Sequence, residues 1–266
     1  MMRAVAANTS TPHIPLWLSE TNSICSGGVA NLSNTYANTP WLLNQLGLLA
    51  AAGVPVMAQQ TLIGSDYGLL SGPGDRPQNA TQGWEAAVTA RPNLFANLLH
   101  RTLIAPAAGG EGGAITVLNA SSDSETAAAY AYCAGAGAKA RAGGGAGAAA
   151  VVVVLINFDE TQPVTFRLPT PPAGADASAP VPAPAAGLLV WSLYGQSKPL
   201  PPSPSPGQVE GLATSPSLHL NGAATPLSVG APMEPVVLAA GTDSVDVAGL
   251  GVAMVLVPGA AMAVCK

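Results

Sequence analysis

The chain has 266 residues, enough for one large or two ordinary domains; 48% are hydrophobic, only 9% are charged, and the net charge is -5. Much of the apolar excess is Ala and Gly, which bury little area, so the hydrophobic fraction overstates the core. No basic cluster exists, which argues against nucleic acid as a partner, since phosphate affinity needs grouped Lys and Arg; a small molecule or a neutral polymer fits this charge better.

Residues 1 to 10 hold no apolar stretch of signal-peptide length, so the chain reads as cytosolic or as lacking its natural start. Residues 16 to 19, Leu-Trp-Leu-Ser, form a first strand that ends on Glu20, with a Gly-rich loop (Ser26, Gly27, Gly28) close behind. In β/α barrels the carboxyl end of each strand faces the active site. The residues alone leave Glu20 open between a catalytic carboxylate and a solvated one at a strand end.

Thr39-Pro40 then opens a helix, Thr as a cap and Pro in the first turn. Leu42, Leu46 and Leu49 follow at helical spacing as one buried stripe. Gly53 ends it with a left-handed residue. Residues 54 to 62 form a second strand, with Pro55 near its start. A polar, Gly-rich loop covers residues 64 to 83. Asn93 precedes a second helix whose apolar side carries Leu94, Phe95, Leu98 and Leu99. Strand, helix, strand, helix is the grammar of parallel βα units.

From residue 112 the pattern becomes all-β. Short apolar runs at 115–118, 127–133, 151–157, 164–168, 188–194, 218–220, 236–239 and 252–257 alternate with turn-rich stretches, which points to a β-sandwich. Low-complexity inserts interrupt it at 134–150 (Ala and Gly) and at 169–186 and 199–206 (Pro-rich); they are expected to be loops that bury no core. Residues 247 to 264 carry no charge, but Pro258-Gly259 divides them, so they read as two buried strands and a turn rather than a membrane span. Two strands and two helices cannot close a barrel, which takes eight such units. Residues 1 to 105 therefore read as the last quarter of a (β/α)8 barrel, followed by a sandwich over 112–266.

The three cysteines are Cys25, Cys133 and Cys265. No Cys-x-x-Cys or His-x-x-x-His spacing exists, so no metal site is expected. Cys133 and Cys265 read from the residues alone as buried thiols or as a pair; Cys25 reads as a small, unreactive residue. His13, His100 and His219 are isolated and read as packing or surface residues. Trp17 and Trp41 occupy core-like positions, and Trp84 lies in a loop. Asn-x-Ser/Thr triplets start at Asn8, Asn31, Asn79 and Asn119 and permit a secreted context.

Three blocks in order carry a resemblance: Pro15-Leu16-Trp17-Leu18-Ser19-Glu20, then Trp41-Leu42-Leu43-Asn44-Gln45-Leu46-Gly47, then Gln60-Thr61-Leu62-Ile63-Gly64-Ser65-Asp66-Tyr67-Gly68-Leu69-Leu70. Together they resemble the C-terminal half of heparanase-like glycoside hydrolases, with the plant β-glucuronidases nearest. Leu98-Leu99-His100-Arg101 sits where that family has its last barrel helix. The resemblance implies a (β/α)8 barrel followed by a β-sandwich, and a retaining mechanism on β-glucuronides that needs two carboxyl groups about 5–5.5 Å apart.

By position it implies that Glu20 is the nucleophile. It further implies that Gln60 and Tyr67 face the substrate, and that the backbone at Ser26 and Gly27 binds the uronate carboxylate. Gln59 stands where the family usually has Arg, and Cys25 where it has an aromatic residue. The family's general acid/base lies on an earlier strand, upstream of these residues; Asp66, Asp75, Glu85 and Glu111 are not expected to replace it.

The resemblance also implies a Cys133–Cys265 disulfide and an extracellular, cell-wall, endomembrane or vacuolar location. Its implied partner is a glucuronic-acid-containing saccharide or glucuronide, with no cofactor, no transmembrane span and peripheral membrane contact at most. The alternative reading is a non-catalytic extracellular protein that binds polysaccharide in a wall or matrix. The Ala/Gly insert and the Pro-Ser repeats at 202–206 support it.

Overall fold

The computed structural model describes residues 15–72, 88–105, 115, 117–118, 124–141, 150–168, 187–195, 215–223, 226–258 and 265. The Pro-rich inserts, His13, Trp84 and the triplets at Asn8, Asn79 and Asn119 lie outside them. The elements in chain order are β1 (Trp17–Thr21), α1 (Asn38–Ala51), β2 (Val56–Gln59), α2 (Pro92–Ile104), β3 (Val117–Leu118), β4 (Ala127–Cys133), α3 (Ala136–Arg141), β5 (Ala150–Asn157), β6 (Val164–Arg167), β7 (Leu188–Tyr194), β8 (His219–Leu220), β9 (Val236–Leu238), β10 (Ser244–Val247) and β11 (Val252–Pro258).

The centre is a seven-stranded sheet in the order β3-β4-β5-β11-β7-β8, with β9 also paired to β7. Strand β11 runs antiparallel to both β5 and β7. Successive side chains on a strand point to opposite faces, and here both faces are covered. Val152, Val154 and Ile156, with Val252, Met254 and Leu256, share one core with Leu43 of α1 and Phe95, Leu99 and Leu103 of α2. Leu155, Ala253 and Val255 face the other way, onto Phe166, Val245 and Val247 of an antiparallel β6–β10 ribbon. This two-sided burial explains why β5 and β11 read as unbroken apolar runs. Each such side chain contributes about 1.5–3 kcal/mol when fully buried.

The second layer of the expected sandwich is thus the two-stranded ribbon, and the helices cover the opposite face. Outside this assembly stands one parallel pair, β1–β2. No closed barrel is present among the described residues.

Several local expectations change. Helix α1 starts at Asn38, and its cap residue Ala37 has no side-chain cap bond. Thr39 lies inside the first turn, where its hydroxyl donates to Asn93 Oδ1 at 3.2 Å, so it joins the two helices instead of capping one. Helix α2 has Pro92 in its first turn, which moves Asn93 inside the helix. Leu98 is exposed, because the buried side runs through Phe95, Ala96, Leu99 and Leu103. Gly53 has the left-handed φ expected of it, 71°.

The Ala/Gly insert does bury core at its start: residues 136–141 form α3, and Ala138 is fully buried. Ala is the best helix former, and Gly135 and Gly137 let α3 approach the end of α2, where a Cβ would meet Ala105 O at 2.1 Å and Thr102 O at 2.7 Å. Of the uncharged run 247–264, the described residues hold the end of β10 at Val247, a turn at 248–251 and β11; Gly259, in the expected turn, lies outside them. No helix among the described residues is long and apolar enough to cross a membrane.

Candidate active site

The site is built on the β1–β2 pair. Trp17 aligns with Val56 and Leu18 with Met57, but Thr21 aligns with Gln59, so β1 carries an irregularity between Leu18 and Thr21. Two hydrogen bonds identify the helix-facing side. Gln45 Nε2 on α1 donates to Thr21 Oγ1 at 2.8 Å, and Asn97 Nδ2 on α2 donates to Gln59 Oε1 at 3.1 Å. Leu18, Thr21, Met57 and Gln59 are half-buried on that side, while Trp17, Ser19, Glu20, Val56, Ala58 and Gln60 are exposed. The extra residue in β1 falls beside Glu20, which is exposed at the carboxyl end of the strand. Bulges of this kind concentrate beside active sites because they re-aim a side chain.

Trp17 is 61% exposed, contrary to its core-like appearance, because nothing among the described residues covers that face. Trp41, on α1, is half-buried.

The loop after β2 carries the other candidates. Tyr67 is buried and its hydroxyl donates to Gln60 Oε1 at 2.8 Å. That bond occupies the amide oxygen of Gln60 and leaves its NH2 as a donor. Asn22, two residues past Glu20, donates through Nδ2 to the Gln60 carbonyl and to the Tyr67 carbonyl at 3.3 Å. Arg91 donates to the carbonyls of Ser65, Asp66 and Gly68, and so holds the segment that presents Tyr67.

Ser26, Gly27 and Gly28 have φ values of 61°, 93° and 93°. The Gly27 carbonyl accepts the Tyr67 N–H at 3.3 Å. A Cβ on Gly28 would sit 3.1 Å from Tyr67 N and 2.8 Å from Ser33 Cβ, so glycine permits the close approach. Gly27, Tyr67 and Gln60 are therefore linked, and Glu20 is exposed at the end of the neighbouring strand.

Asn22 and Arg91 escaped the sequence reading. Asn22 lies two residues past Glu20 and Arg91 lies just before α2, in no motif that marks either as a site residue. Their partners lie 38 and 26 residues away respectively, a distance at which no spacing rule applies.

The remaining predicted residues fall elsewhere. Cys133 and Cys265 form a disulfide across a separation of 132 residues, and Cys25 is a free, exposed thiol. His219 is buried, with Nδ1 2.9 Å from the Ala223 carbonyl. His100 packs edge-on against Tyr132, with ring centroids 5.6 Å apart, and burial pushes its pKa down to about 4. Neither histidine belongs to the β1–β2 site. No group of three or more His, Cys, Asp and Glu able to hold a metal occurs among the described residues.

No family model matches the chain. Short stretches match curated proteins. A hyaluronoglucuronidase of Hirudo nipponia is 38% identical over 69 residues, 26% of this chain and 14% of that protein. Heparanase of Bos taurus is 43% identical over 58 residues, 21% and 11% of the two chains. Heparanase-like protein 1 of Arabidopsis thaliana is 37% identical over 54 residues, 20% and 10%. The matched stretches span between 10% and 14% of these relatives' lengths.

Among solved structures, a thermostable α-L-arabinofuranosidase of Thermotoga petrophila aligns with 96% of this chain and 46% of its own, at a TM-score of 0.51 and 8% identity. That is a likeness of fold alone. The short sequence matches support a relationship to glycoside hydrolases without singling out one member.

Proposed function

We propose that this chain is the carboxyl-terminal part of a retaining glycoside hydrolase acting on β-glucuronides, with residues 1 to 105 as its last βα units and 112 to 266 as a β-rich domain. Glu20 attacks the anomeric carbon and forms a glycosyl-enzyme; the leaving oxygen takes its proton from a carboxylic acid on a strand outside these residues. Water, activated by the same group, then releases the sugar. Tyr67 fixes the orientation of Gln60, whose free NH2 donates to a sugar hydroxyl. The amides around Ser26 and Gly27 form a nest for the uronate carboxylate.

One observation supports this reading: Glu20 and Gln60 are both exposed at the carboxyl ends of a parallel strand pair, with Gln60, Tyr67 and Gly27 joined by hydrogen bonds. The Cys133–Cys265 disulfide supports an oxidising, extracellular or endomembrane location. The test is hydrolysis of an aryl β-glucuronide by the chain expressed with the coding region that precedes it in its gene. Glu20→Gln lowers the rate by more than about 10²-fold; a variant with undiminished activity overturns the assignment.

A second reading, polysaccharide binding without cleavage, has one observation in its favour. Trp17 is 61% exposed, on the same open face, where an aromatic ring can lie against a sugar. Saccharide binding that survives in a chain with no hydrolysis would favour it.

A further inference from the structure

The triplet Asn31-Leu32-Ser33 lies in the turn between the Ser26–Gly28 loop and α1. Asn31 is exposed and holds a left-handed φ of 62°, a conformation that Asn tolerates better than other side chains with a Cβ. Its side-chain amide has no hydrogen-bond partner among the described residues. The turn is rigidly tied: the Leu32 and Ser33 amides donate to the Val29 carbonyl at 3.2 and 2.8 Å. Ser33 is buried, and its hydroxyl accepts the Val29 N–H at 3.1 Å and the Ser23 hydroxyl at 3.1 Å. Asn31 thus points outward from a fixed base. Beside it, Val29 and Leu32 are each 46% exposed, an apolar patch with no cover among the described residues.

A second observation is independent of the turn. The bond between Cys133 and Cys265 needs an oxidising compartment, and Asn-linked glycans are attached in secreted proteins at Asn-x-Ser/Thr where x is not Pro.

We propose that Asn31 is a glycosylation site and that its glycan shields Val29 and Leu32 at the rim of the β1–β2 site. The donor is an oligosaccharide linked through a diphosphate to a polyprenyl lipid. The bond from the sugar's C1 to the diphosphate oxygen breaks, and a bond from C1 to Asn31 Nδ2 forms. The lipid diphosphate leaves, and one Nδ2 proton passes to a base; no oxidant or reductant is required. Because Ser33 is sealed in the folded turn, transfer precedes folding of this segment. The inference does not depend on the role given to Glu20.

The test is site-resolved mass spectrometry on the full chain, produced through a eukaryotic secretory pathway. Deglycosylation by peptide-N-glycosidase in heavy-oxygen water converts an occupied Asn31 to labelled Asp. Label at residue 31 in protein with a closed Cys133–Cys265 bond is the result expected, and Asn31→Gln removes it. Unmodified Asn31 in that same disulfide-closed material overturns the proposal, as does passage through the pathway with both thiols free. The wild-type measurement stands even if the variant fails to fold.

Discussion

At the scale of single residues, two positions show how packing overrules local preference. Gly47 lies in mid-helix, where Ala should be favoured by about 1 kcal/mol. Yet a Cβ there would fall 2.3 Å from the ring of Tyr130, and that ring is pinned by its hydroxyl, which donates to Asn44 Oδ1 at 2.6 Å. Overpacking of this kind costs about 1–3 kcal/mol. Gly47→Ala therefore lowers the urea midpoint of unfolding despite its better helix propensity; an unchanged or higher midpoint would refute the contact.

His100 gives a pH signature. Its Nε2 is buried with no hydrogen-bond partner among the described residues, so charging it inside the fold is unfavourable, and its pKa falls from 6.5 to about 4. The unfolded chain takes up the proton first. The stabilising contribution is thus fully present above about pH 6.5 and is lost as pH falls toward 4, by at most about 3 kcal/mol. His100→Phe should flatten stability over that window, measured by urea unfolding at several pH values. An equally steep loss in the variant would show that other groups are responsible.

At the scale of elements, much was legible. Strands 127–133 and 188–194 have the limits their sequences suggest, and β5 and β11 each differ by one residue, because turn residues bracket continuous apolar runs. Strand β10 was missed: its four residues alternate Ser, Val, Asp, Val, a pattern too short to stand out, though Val245 and Val247 are buried. The site was only half legible. Glu20 and the Gln60–Tyr67 segment come from the family resemblance, whereas the one-residue irregularity in β1 beside Glu20 has no signature in the sequence.

The loop that presents Tyr67 depends on a residue the sequence hid. Arg91 is buried and donates to three carbonyls of residues 65–68. Arg91→Gln cannot reach all of them, and each hydrogen bond to a charged group contributes about 1.5–3 kcal/mol. The expected result is faster amide hydrogen exchange at Gly68 and Leu69, whose N–H groups bond to Ser65 and Thr61, with β5 and β11 unaffected. Unaltered exchange in that loop would show that other contacts hold it.

For the molecule as a whole, the sequence divides near residue 105, but the core does not. Residues of α1 and α2 pack into the same cluster as the central sheet, a contact that hydrophobic patterning cannot reveal because it says only that a face is buried, not against what. The disulfide adds a long-range tie from β4 to the chain's end across 132 residues. In the chain-entropy view, closing so long a loop stabilises by up to about 5 kcal/mol. Replacing both Cys133 and Cys265 by Ala should lower the thermal midpoint, whereas Cys25→Ala should leave it nearly unchanged. Equal midpoints for the two variants would remove the tie from the account.

In the proposed reaction Glu20 forms a covalent bond to the sugar, which mechanism-based trapping can capture. A 2-deoxy-2-fluoro-glucuronide with a good leaving group slows release of the glycosyl-enzyme, so the ester accumulates on the nucleophile of the active enzyme. Peptide mapping is expected to find one sugar per chain, attached to Glu20 and absent from Glu20→Gln. Label on a different carboxylate, or label retained by Glu20→Gln, would contradict the account.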